Sequence, residues 1–148
     1  MRRTIQALLF GAVALAASAC DEKLSTIAGP TPNLEPTFTS IQRDVFGARD
    51  LAGRPACISC HTANGRAPAG GLNLDSADVY DRLVNAPSTR KAGAILVVPG
   101  DPEASYIIHK VEGRPGIVGG RMPFNGPYLT AGQILILKRW VEIGAPRN

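Results

Sequence analysis

The five residues Cys57-Ile58-Ser59-Cys60-His61 constrain this chain more than any other stretch. They hold two of its three cysteines and one of its two histidines. Two thiols separated by two residues, with an imidazole directly after the second, suit four chemistries: a redox dithiol, half of a zinc site, a disulfide, or the covalent anchor of a haem. Each makes a different demand on the rest of the chain, so the rest of the chain decides among them.

A structural zinc site needs four protein ligands, and a catalytic one three plus water. Here His61 follows Cys60 too closely to complete a tetrahedron easily, His109 is the other histidine, and there is no second CxxC. A thioredoxin-like dithiol sits at the start of a helix after a strand, in a βαβ setting. In this chain the motif follows a helical segment, and what comes after it lacks alternating strands. A plain disulfide is the remaining alternative to a haem.

Haem accounts for every position. The thiols of Cys57 and Cys60 add across two vinyl groups, the two intervening residues give the reach between them, and His61 is held beneath the iron as proximal ligand. That attachment requires reduced thiols presented outside the cytoplasm. The N-terminus meets the requirement: Arg2 and Arg3 precede an apolar run from Ala7 to Ala17, too short to span a bilayer comfortably, followed by Ala17-Ser18-Ala19. These residues read as a signal peptide over 1–19. Before Cys20 they also resemble the lipobox of bacterial lipoproteins, with Ala17 where a larger aliphatic residue is commoner, and the resemblance implies that Cys20 is acylated. The expected location is then the periplasmic side of a bacterial membrane, lipid-anchored, or soluble in the periplasm if Cys20 is not acylated.

Export changes the charge reading. Of 16 basic residues, Arg2 and Arg3 leave with the signal, so 14 face 12 acidic ones and the mature net charge falls to about +2. Nothing in that balance supports nucleic-acid binding. Residues 20–37 carry Pro30, Pro32 and Pro36 with few core-forming side chains, and read as a lipid-anchored flexible linker. The folded body is expected over 38–148, a size suited to one small domain.

Four helical segments are expected in that body. In "FTSIQRDVFGARD", Ile41, Val45 and Phe46 share a face, with Thr39 or Ser40 as cap. "SADVYDRLVNA" carries the stripe Val79, Leu83, Val84 behind Ser76. "DPEASYIIHKV" has Asp101 as cap, Pro102 at the first helical position, and Ala104, Ile107, Ile108 and Val111 at helical spacing. "TAGQILILKRWVEIGA" gives the strongest signal: a Thr130/Gln133 capping box, the stripe Ile134, Leu137, Val141, and Gly144 as terminator. "AILVVPG" suits a short strand or a buried connection. Gly- and Pro-rich loops fill the remainder, a high loop content that a large buried cofactor would organise.

A covalent haem needs a sixth ligand, commonly Met or His. Once the signal is removed Met122, in "GGRMPFNG", is the remaining methionine and the favoured donor. His109 is the rival, lying off the Ile107/Ile108/Val111 stripe, and an open sixth site is the third reading.

The CISCH motif, the downstream "RMP" and a C-terminal amphipathic helix with Trp140 resemble class I c-type cytochromes. The segments "IQRDVF", "GGLNL", "VVPGDPEAS" and "WVEIGA" are similar to those of small exported bacterial cytochrome domains, over about residues 38 to 146. The resemblance implies a mostly α, cytochrome c-like fold wrapped around one haem c. Cys57 and Cys60 would be attachment points, His61 the proximal and Met122 the distal ligand. The long insert between the motif and Met122 departs from short class I cytochromes and leaves the loop architecture open. Trp140 is expected near the haem, and Arg114 and Arg121 are candidates to pair with its propionates.

His/Met ligation fills both axial positions, which points to an electron carrier and not an enzyme: transient redox partners, no small-molecule substrate, and no recognisable triad. A cytochrome subunit of a dehydrogenase or respiratory complex is the alternative, as is a haem enzyme or sensor if the sixth position is open. A structural lipoprotein with a Cys57–Cys60 disulfide stands as a third class.

Overall fold

The computed structural model describes residues 33–50 and 53–148. The signal, Cys20 and most of the linker lie outside the described residues. Regular structure within them is helical, with isolated bridges in place of strands.

The first helix opens as α1 (Phe38–Ser40) and continues as a π-helical stretch, Ile41–Phe46. Its cap is Thr37, not Thr39 or Ser40: the Thr37 side chain accepts from the Ser40 amide. Phe38 N–H donates to the Asn148 side chain and Thr39 N–H to the Asn148 main-chain carbonyl, so two more of the helix's orphan amides are satisfied by tertiary contact. The π-helical winding, closed by Gly47 N–H donating to Gln42 O at 2.9 Å, suits the sequence spacing. Ile41, Val45 and Phe46 stand at i, i+4 and i+5, and the wider turn brings all three into the core. Packing begins ahead of this helix, because Leu34 is already buried in the same core.

The CISCH motif forms a single 3₁₀ turn, Cys57–Ser59. The chain then returns over it through a second such turn, Ala69–Gly71. Ala69 N–H donates to Cys60 O and Leu74 N–H to His61 O, at 3.0 and 2.8 Å, so the "GGLNL" segment clamps the motif's own backbone.

The helix expected over "SADVYDRLVNA" is not formed; the segment is a run of turns mixing i+3 and i+4 bonds. Tertiary demands win there. Asn85 takes a positive φ so that Leu83 and Asn85 can exchange backbone bonds with Val97, and Val84 bridges Val97. "AILVVPG" is correspondingly a half-buried connection, with Val97 in the core, making isolated bridges to both flanks.

The second helix, α2 (Tyr106–Glu112), is shorter than the periodicity predicts. Asp101 does cap, accepting from Ala104 N–H at 2.9 Å, but it caps a separate turn. Ser105, fully buried, donates its hydroxyl to Asp101 O and accepts from Val98 N–H. Tyr106 and Ile107 then give their amides to the carbonyls of Ile95 and Leu96. Those tertiary acceptors set where the helix begins. It ends at Gly113, whose φ of 75° is left-handed; a β-carbon there would meet the Arg121 side chain at 2.8 Å, so only glycine suits both demands.

The last helix, α3 (Ala131–Glu142), matches its sequence signals. Thr130 and Gln133 form the complete capping box. Leu137, Trp140 and Val141 are buried, and α2 and α3 pack together. Phe38 bridges Trp140 and Tyr80, at ring-centroid distances of 5.6 and 5.1 Å, and this aromatic group ties α1, α3 and the turn segment into one core.

Candidate haem site

All of these elements leave one large cavity, of about 770 Å³, between them. Ligand-sized clefts commonly run from roughly 300 to 1,000 Å³. Its walls come from the end of the π-helical stretch (Val45, Phe46), the CISCH turn, the return segment (Leu72, Leu74), the loop around Arg82–Arg90, α2, the 118–124 loop and α3. Cys57, Cys60, His61 and Met122 all line it. These four residues span 66 positions of chain, from 57 to 122, and the fold delivers them to one apolar chamber.

The chemistry of the donors fits a haem. Cys57 and Cys60 carry free thiols rather than a disulfide. The Cys57 thiol donates to Val45 O, and burial raises its pKa, while Cys60 is exposed. His61 has its pKa lowered by burial, which keeps the imidazole neutral and its lone pair available to a metal. Its Nδ1 is one of two buried side-chain polar atoms without a hydrogen-bond partner among the described residues. Among the described residues no cluster of three or more His, Cys, Asp and Glu side chains offers an alternative metal site.

The other expected residues stand apart from the chamber. His109 does not line it; its Nε2 lies 2.6 Å from Glu103 O, on the outer side of α2. Trp140, expected near the haem, is instead a core residue: it is fully buried and donates its indole N–H to Pro146 O. Arg114 pairs with Glu103 and Glu112, and Arg121 donates to Val111 O while stacking on Tyr128, so neither faces the cavity. The cations that do line it are Arg82, Arg90 and Lys110. Arg82 is held by Asp78, whereas the Arg90 guanidinium forms no hydrogen bond among the described residues and is open to a carboxylate.

Two residues escaped sequence reasoning. Arg54, three positions before Cys57, is fully buried. It pairs with Asp50 and donates to the carbonyls of Asp44, Val45, Ala48 and Pro55, tying the end of the first helix to the approach of the motif. Nothing in its loop sequence separates it from a solvated arginine. Lys110 was more accessible to inference, since it lies three residues after Ile107 and shares its face. Burial lowers its pKa.

Residues 57–123 match a family model described as planctomycete cytochrome C. The match starts on the first motif cysteine and ends one residue after Met122, so it contains all four cavity donors. The match supports a cytochrome c-like domain over that segment of the chain. No curated protein and no solved structure matches it. The helical elements and near absence of strand are compatible with such a domain, and the family indicates haem-based electron transfer, with covalent haem c, as its broad activity.

Proposed function

We propose that this cytochrome domain is a monohaem electron carrier in which His61 and Met122 occupy the two axial positions. The observation that carries the reading is the convergence of Cys57, Cys60, His61 and Met122 on one apolar chamber. When bound, haem supplies a one-electron iron couple. Cys57 and Cys60 would fix it covalently through two thioethers. His61, neutral through burial, would give its lone pair, and the Met122 thioether would favour the reduced state and so a higher potential than a second imidazole gives. Leu72, Leu74, Leu83, Leu96 and Leu137 exclude water from the interior face, which favours the less charged redox state. The Arg90 guanidinium, at the cavity wall and without a partner among the described residues, suits a propionate. Occupation of both axial positions would leave no open iron position for a substrate.

Partners are transient redox proteins, and the acylated Cys20 tethers the domain to the outer side of a membrane. Fractionation of Cys20→Ser beside the parent protein tests the tether: a parent that is already soluble without detergent sinks it. The ligand reading is tested on protein matured in a host that attaches haem c. The ferrous spectrum should be low-spin, with carbon monoxide binding only slowly. Rapid carbon monoxide binding would replace the carrier with an open-site enzyme or sensor.

A further inference from the structure

The loop that carries Met122 is hung from α2, and one residue makes most of the attachment. Lys110 uses both its main chain and its side chain. Its carbonyl accepts from Met122 N–H at 2.8 Å. Its ammonium donates to Val118 O at 2.9 Å and to Gly120 O at 2.5 Å. The bonds thus straddle the turn that leads into Met122, closing it from 118 to 122. Other ties hold the same loop farther out: Tyr106 Oη accepts from Val118 N–H, Arg121 donates to Val111 O, and Lys91 donates to Gly116 O.

Lys110 differs from these in lining the cavity while contacting the loop on both sides of Gly119. Among the described residues no carboxylate pairs with it. A half-buried ammonium without a counter-charge relies on carbonyl dipoles, and bonds from a charged donor are stronger than neutral ones. A β-carbon at Gly120 would meet the exposed Phe124 ring at 3.0 Å.

We infer that Lys110 is the positioning residue for the distal ligand, holding Met122 over the cavity and setting how often the sixth position opens. This rests on the reading of Met122 as ligand, and the test separates the two. Lys110→Met keeps the aliphatic stem and removes the ammonium, Lys110→Gln keeps a single amide donor, and Lys110→Arg restores a multidentate cation. Met122→Ala reports on the ligand itself. All four are matured as holoproteins and compared by ferrous carbon monoxide binding rate, reduction potential and thermal midpoint.

Lys110→Met should bind carbon monoxide about tenfold faster or more, the change expected when a charge-assisted bond no longer holds the closed state. Lys110→Gln should fall between, Lys110→Arg should return towards the parent rate, and Met122→Ala should bind fastest. If Lys110→Met does not accumulate as holoprotein, Lys110→Gln carries the comparison with Lys110→Arg. A lowered thermal midpoint with parent-like carbon monoxide kinetics and potential would reduce Lys110 to a structural residue and overturn the inference, with Met122→Ala still opening the iron. A Met122→Ala variant indistinguishable from the parent would overturn both readings.

Discussion

The two walls of the cavity are held in different ways. On the motif wall, Cys57, Cys60 and His61 sit on consecutive turns of chain whose backbone is fixed at close range: His61 N–H to Cys57 O, Ala69 N–H to Cys60 O, Leu74 N–H to His61 O. Behind it stands Arg54, a buried cation bonded to four carbonyls and to Asp50. On the methionine wall, Met122 has one backbone bond to α2 and depends on side chains, chiefly Lys110, reaching across to a Gly-rich loop. Covalent attachment needs two sulfurs at a fixed spacing, so local structure suffices there. A distal ligand needs only to be held in place, and releasable side-chain ties do that. On the ligand set proposed above, the difference teaches that the attachment side is built for permanence and the distal side for adjustment.

The comparison can be broken most severely at the motif. Cys57→Ser combined with Cys60→Ser should abolish covalent haem entirely, read as loss of haem staining on a denaturing gel; retained staining would remove the motif wall from the mechanism. Next in size is Arg54→Met. It strands the Asp50 carboxylate, whose side chain is 3 % exposed, together with several carbonyls, and breaking a buried pair this way costs about 3–5 kcal/mol. Denaturant unfolding of the holoprotein measures it. A loss below about 1 kcal/mol would mean that the motif wall does not depend on its buried cation.

The smallest effect concerns α2, the support of the methionine wall. Glu103, just before the helix, pairs with Arg114 just after it and with Lys138 of α3, and these cations hold its carboxyl down to about 2. A depressed carboxylate contributes stability above its ordinary value of 4.5 that disappears as pH falls towards about 2. Glu103→Gln should therefore flatten part of the acid dependence of unfolding within that window, and salt should shrink the difference, because the pair is exposed. An unchanged acid profile would show that α2 is held by its core contacts and not by this network.

Legibility in the sequence followed the same division. The CISCH motif and α3 could be read directly, because both are encoded within a few residues: thiol spacing in one, a capping box and a 3.6-residue stripe in the other. The turn segment before Asn85 and the start of α2 could not. There, carbonyls of residues 95–97, distant along the chain, compete for the same backbone groups and win. Propensity is a weak prior where tertiary hydrogen bonds are available. Trp140 was misplaced for a related reason. A large aromatic on an amphipathic helix announces burial but not against what, and here it packs on Phe38.

What the sequence by itself determined is the chemistry: two sulfurs and an imidazole at a spacing that suits a haem, and a methionine available to face them. Only the tertiary structure decided which polar groups serve that chamber. Arg54 and Lys110 act through carbonyls that folding brings within reach, while Arg114 and Arg121 are drawn off to other partners. A charged side chain's role is set by what surrounds it, and no local pattern of residues encodes those surroundings.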